Sequence, residues 1–179
     1  MFVTRLVGLC CIALLSLPVA AEKSLRIATT DYPPYASPAL PQRGPLVQLT
    51  LRAFAAVGQQ VEVDFLPWAR AMRLTEIKQY DGLLLLWPEE IRKLQLWASD
   101  ALYLSELGVF VTTGSTRQIA DAESLRDARL GIVRDYGYPP ELLRSGARLD
   151  IADDDKTNVR KLALGRLDLV LLEKSAGEY

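Results

Sequence analysis

Leu25-Arg-Ile-Ala-Thr-Thr-Asp-Tyr-Pro-Pro-Tyr35 is the stretch from which the fold can be read. Leu25, Ile27 and Ala28 supply the apolar residues of a buried strand. Pro33 and Pro34 then remove two backbone donors, fix two φ angles and force the chain out of the sheet. Tyr32 and Tyr35 are left at the carboxyl end of that strand. In open α/β sheets small ligands bind outside the carboxyl ends of the strands, so two rings on a stiffened loop there make a recognition surface. The bland alternative is that both tyrosines only cover the sheet edge.

Downstream, the pattern of strand, helix and strand repeats. Ser37 to Pro45 is a loop rich in Pro and Gly. A helix is predicted from Pro45 to Val57, with Val47, Leu51, Phe54 and Val57 facing inward and Gly58 as its stop. Val61 to Phe65 alternates apolar and acidic residues, as a strand with one wet face does. Pro67 opens a second helix running to Gln79. Gly82-Leu-Leu-Leu-Leu-Trp87 is an unbroken apolar run of strand length, expected as a central strand covered on both faces and ended by Pro88. Right-handed crossovers place Tyr35, Trp68 and Trp87 near one edge of this parallel sheet.

Leu107 to Thr112 is predicted as a further strand, and the polar break from Thr113 to Gln118 marks a lobe boundary. The pattern then restarts with a short helix at Asp121 to Arg126 and strands at Leu130 to Val133 and Arg148 to Ala152. Asp153, Asp154 and Asp155 stand at the start of a helix, where the macrodipole favours carboxylates. That helix is expected to run to Leu164 with Val159, Leu162 and Ala163 inward and Gly165 ending it. Leu167 to Leu172 is a last buried strand, leading to Glu173.

Upstream, Met1 to Ala21 has the layout of a secretory leader. Arg5 is its positive end, Leu6 to Leu17 its apolar core and Val19-Ala20-Ala21 its cleavage site. Cys10 and Cys11 both lie in it, and the chain has no histidine. The exported part, about 158 residues, has enough length for a sizeable core. It has no disulfide, no Cys or Ser-His nucleophile and no His or Cys zinc site. Carboxylates, Lys, Arg, Tyr and backbone groups are its chemical actors. Losing Arg5 leaves 20 basic residues against 22 acidic ones, a net charge of −2. That balance gives no support to nucleic-acid binding.

Several short motifs occur together: Asp-Tyr-Pro-Pro-Tyr35, Tyr80-Asp-Gly-Leu-Leu-Leu-Leu86, Glu90-Ile-Arg-Lys93, Ala98-Ser-Asp-Ala-Leu-Tyr103, Ser124-Leu-Arg-Asp-Ala-Arg-Leu-Gly-Ile-Val133 and Leu164-Gly-Arg-Leu-Asp-Leu-Val170. In this order and spacing they resemble the family 3 extracellular solute-binding proteins, the polar amino-acid receptors of ABC importers. The resemblance covers Ser24 to Tyr179. It implies an α/β fold of two lobes that close on a ligand like a hinged clamp, with residues 22–112 as lobe one and residues 113–179 as lobe two. It places Arg92 at the arginine that pairs with a ligand carboxylate, a role suited to the planar guanidinium fork. Tyr32 falls at the aromatic that stacks on the ligand, with Tyr35 beside it, and Glu173 at the acid that receives its ammonium. Trp68 and Arg70, in Pro67-Trp-Ala-Arg-Ala71, resemble a motif of a less characterised branch of the family, although a tryptophan at such a helix start is also a common core residue. Trp87 and Tyr136 complete the expected ligand-binding set, and Asp168 reads as a structural turn residue.

Three departures from the family pattern stand out. Glu89 replaces a threonine three residues before the arginine. Arg134-Asp-Tyr-Gly-Tyr138 replaces the Gly-Thr anion turn of lobe two. The family's further helix, second hinge strand and closing helix do not follow Tyr179, so lobe two is expected to be incomplete. The resemblance implies a periplasmic, monomeric, non-enzymatic binding protein with a small-molecule solute, an inner-membrane ABC permease as partner, and no cofactor or metal. The aromatics and the two arginines favour an anionic or zwitterionic solute with a flat or apolar part. A periplasmic dehydratase acting through Glu173, Glu89 or Glu90 and a sensor module of a longer signalling or cell-wall protein are the alternatives.

Overall fold

The first lobe is built around β1 (Leu25–Thr29), the middle strand of a three-stranded parallel sheet. It pairs with β2 (Val61–Phe65) on one side and β3 (Gly82–Leu83) on the other. The computed structural model describes residues 23–179, so the leader expected over residues 1–21 lies outside the described residues. Successive residues of β1 point to opposite faces, and each face has its own cover. Ile27 packs with Val47 of α1 (Pro45–Ala56), Val63 and Leu84, while Ala28 packs with Trp68, Ala71 and Met72 of α2 (Trp68–Glu76). Gly44 lets α1 start hard against the tyrosine loop. Its φ is +99°, and a Cβ there would stand 2.5 Å from the Tyr35 carbonyl oxygen. The expected inward face of α1 holds through Val47, but Val57 lies beyond the helix and is exposed.

The run from Gly82 to Trp87 is not the long central strand its composition predicts. Only Gly82 and Leu83 pair with β1. Leu85 then adopts a φ of +76°, a conformation that a strand cannot contain. This turn lifts the chain off the sheet and delivers Leu85 and Trp87 to the cleft. Trp87 becomes the residue before α3 (Pro88–Leu94).

The second lobe holds a four-stranded sheet in the order β4 (Leu107–Phe110), β7 (Leu169–Glu173), β5 (Arg129–Val133), β6 (Arg148–Ala152). The strands β5, β6 and β7 run parallel, and β4 joins β7 antiparallel. A boundary after Thr112 would assign β4 to lobe one. Its pairing places it in the second sheet, and the crossing between sheets runs through residues 84–106. All five residues of β7 are buried. One face of this sheet closes on Leu125, Leu130, Tyr138 and Leu169, the other on Leu162, Leu167 and Val170. Between the strands lies α4 (Pro140–Leu143). The helix that follows β6, α5 (Asp155–Ala163), packs under the second face, and α6 (Lys174–Glu178) closes the described chain.

On α5 the buried face is turned by about one residue from the expected one. Asn158 and Leu162 point inward, while Val159 is 44% exposed. Asn158 is fully buried because its amide donates to the Ile132 carbonyl at 2.9 Å. An apolar residue there would leave that interaction unmade. Asp154 caps α5 by accepting the Thr157 amide at 2.7 Å. Asp168 is the structural residue expected: its carboxylate accepts from the Arg129 amide at 2.8 Å and the Arg129 guanidinium at 2.7 Å. That guanidinium holds its carboxyl down at about 2.

Candidate functional site

The tyrosine loop is closed by its own backbone: Tyr32 N–H donates to the Ala36 carbonyl at 2.6 Å, and Ala36 N–H returns to the Tyr32 carbonyl at 3.0 Å. This turn buries Tyr32 at the carboxyl end of β1 and leaves Tyr35 half-buried beside it. Tyr35 stacks on Tyr103 with centroids 4.4 Å apart, which brings the crossing segment over the loop.

A small cavity lies between the lobes, lined by Thr30, Tyr32, Trp68, Leu85, Trp87, Glu90 and Tyr136. Its volume is about 10 Å³, room for about one water molecule. Tyr136 of the second lobe stands among the other aromatic rings of the lining. Its ring meets Tyr32, Trp68 and Trp87 edge-on at 6.1, 6.2 and 5.5 Å between centroids, the offset geometry aromatic quadrupoles favour.

Glu90 is the polar centre of this contact. It stands at the third position of α3 and reaches back to accept the Trp87 amide at 2.6 Å, half of a capping box. Its other oxygen accepts from Trp68 Nε1 at 3.0 Å and from Gly137 N–H of the second lobe at 2.9 Å. Gly137 permits this approach, since a Cβ there would meet Glu90 Cγ at 2.9 Å. Three donors hold the charged form, but burial outweighs them and pushes the Glu90 carboxyl up to about 7.

Asp155, the first residue of α5, stands behind Tyr136. Its Oδ2 accepts from the Tyr136 hydroxyl at 3.0 Å, while Oδ1 is buried with no partner among the described residues. Burial again dominates and raises this carboxyl to about 7, with the charge of Asp154 adding to the effect. Burial first and the Asp155 charge second hold the Tyr136 phenol well above its ordinary value, so it stays a donor. Glu173 is buried at the end of β7 and caps α6 by accepting the Ala176 amide at 2.9 Å. Burial, and after it the Glu173 carboxylate, pushes the Tyr35 phenol up. At the rim, Lys93 pairs with Asp135 at 2.7 Å and Lys156 with Asp31 at 3.1 Å. Such exposed pairs contribute about 0 to 1 kcal/mol each.

Of the expected site residues, the structure brings Tyr32, Trp68, Trp87 and Tyr136 around one cavity, with Tyr35 and Glu173 beside it. Arg70 and Arg92 are not there. Arg92 is exposed and pairs with Glu89 one turn back on α3. The reason is rotational: at about 100° per residue, Arg92 stands some 200° from the inward Glu90, and Arg70 the same angle from the buried Trp68. The expected guanidinium grip on a carboxylate is therefore not formed by either arginine here. Glu90, Asp155, Tyr103 and Thr30 join the site without having been expected in it as ligand contacts. A Glu three residues into a helix opened by Pro88, and an Asp in the first turn of a helix behind an Asp cap, were the signals for the first two.

No family model matches the sequence, and no curated protein does. Solved structures do match. An ancestral arginine-binding protein bound to arginine superposes with a TM-score of 0.74 at 18% identity, over 86% of this chain and 71% of that one. The substrate binding protein of an amino acid ABC transporter gives 0.72 at 17%, over 87% and 72%. An ancestral amino acid-binding protein described as a precursor of cyclohexadienyl dehydratase gives 0.69 at 16%, over 87% and 73%. The chain therefore has the two-lobe α/β fold of these amino-acid-binding proteins.

Proposed function

We propose that this protein captures a small polar solute between its two lobes and delivers it to an inner-membrane ABC permease, acting in the periplasm after export directed by residues 1–21. The observation that carries the reading is the interlobe cavity itself. Aromatic rings and a buried carboxylate converge at the carboxyl end of β1, where ligands of open α/β sheets bind. The fold shared with an arginine-binding protein and with a transporter's substrate binding protein supports it. The test is thermal unfolding of residues 22–179 against a panel of amino acids and polyamines. A bound solute at about 100 times its Kd adds about 2.7 kcal/mol and raises Tm by several degrees. A panel that leaves Tm unchanged throughout refutes solute capture.

A dehydratase-like enzyme is the second reading, favoured by one observation. Glu90 and Asp155 both titrate near 7, where a carboxyl group can give up a proton at neutral pH. Among the described residues the cavity lining offers no cation to hold the carboxylate of a cyclic acid substrate, which ranks this reading second. Turnover of such an acid, lost in Glu90→Gln, would reverse the order.

A further inference from the structure

Tyr136 occupies the place between the lobes where a solute would sit. With room for about one water beside it, any larger guest must displace its ring from among Tyr32, Trp68 and Trp87. Its departure would uncover one particular group. Among the described residues, Asp155 Oδ1 already lacks a hydrogen-bond partner in a buried setting, and Oδ2 would lose the Tyr136 hydroxyl, its one donor there. A buried carboxylate without partners is costly, so an incoming molecule that supplies a donor or a positive charge is favoured over one that leaves Asp155 to take up a proton.

The rest of the wall has the same sign. Among the described residues, Glu90 lines the cavity and no lysine or arginine does. Lys93 and Lys156 are held at the rim by Asp135 and Asp31. A carboxylate brought here would face buried acids with no counter-charge. An ammonium would face an acid and the electron-rich faces of aromatic rings.

We propose that the cleft takes an organic amine with a flat or apolar body. Its body replaces the Tyr136 phenol among Tyr32, Trp68 and Trp87, and its ammonium replaces the Tyr136 hydroxyl as the donor to Asp155. Tyr136 is thus an intramolecular stand-in for the ligand. The inference rests on solute capture and narrows it, against the carboxylate-bearing ligand that the sequence favours.

Isothermal titration of the protein with phenethylamine, phenylalanine and phenylacetate tests it, since the three share a ring and differ in charge. Phenethylamine is expected to bind at least tenfold more tightly than phenylalanine, and phenylacetate not to bind. Asp155→Asn should weaken phenethylamine at least tenfold with an unchanged circular dichroism spectrum. Tyr136→Ala should tighten it severalfold by removing the competing ring. Phenylalanine or phenylacetate binding best overturns the amine inference and leaves solute capture standing. So does failure of all three while another solute of the wider panel binds; failure of both sets removes both. An Asp155→Asn protein that binds phenethylamine unchanged also overturns it, as does a Tyr136→Ala protein that loses binding.

Discussion

Replacing Glu90 by Gln should flatten the dependence of stability on pH across the neutral range. The folded protein holds the Glu90 proton up to about 7, against 4.5 for a free glutamate. Between those values the native state binds more protons than the unfolded chain. Stability therefore falls as pH rises through this window and levels off above the folded value. For one such group the loss from about pH 5 to about pH 8 is roughly 2 to 3 kcal/mol. Asp155, raised from 3.8 to about 7, adds a loss of similar size. The carboxylates held low, Asp64, Asp121 and Asp168, lose their contribution only in stronger acid and do not overlap this range. In Glu90→Gln the amide oxygen still accepts from Trp68 and Gly137, while its NH₂ opposes the Trp87 amide, a mismatch worth about 1 to 3 kcal/mol at every pH. That offset shifts the curve without tilting it. Urea unfolding followed by tryptophan fluorescence at four pH values separates the two effects. Equal slopes for wild type and Glu90→Gln would refute the assignment of a raised pKa to this buried, interlobe carboxylate.

Gly137→Ala should push the second lobe off Glu90, because the new Cβ meets Glu90 Cγ at 2.9 Å. Small-angle scattering should show a more open particle, and unchanged dimensions would contradict the contact. Asp154→Ala removes the cap of α5 and should cost about 0.5 to 2 kcal/mol in denaturant unfolding, with solute binding retained. Arg92→Ala removes only an exposed pair with Glu89 and should change stability by less than about 1 kcal/mol and leave solute affinity within twofold. A large loss of affinity would restore Arg92 to the site.

The sequence by itself determined most strands and the longer helices in their order, though not α3, α4 or α6, nor the early end of β3. Apolar runs such as Leu169 to Leu172 can only be buried, alternation in Val61 to Phe65 can only serve a strand with one covered face, and Pro33-Pro34 must leave the sheet after β1. These are local properties of period and backbone freedom, so they survive without knowledge of neighbours. They also sufficed to expect Tyr35, Trp68 and Trp87 near one edge, where Trp68 and Trp87 line the cavity and Tyr35 stands beside Tyr32. What the tertiary structure alone decided was which charges enter the cleft. Arg70 and Arg92 sit two residues from inward-facing side chains and are carried to the outer faces of their helices by rotation. Glu90 and Asp155 are acceptable inside because donors from distant parts of the chain converge on them: Trp68 and Gly137 on one, Tyr136 on the other. Apart from the Trp87 amide three residues before Glu90, the partners that make these buried carboxylates tolerable lie 19 to 47 residues away in the chain, beyond the reach of any local pattern.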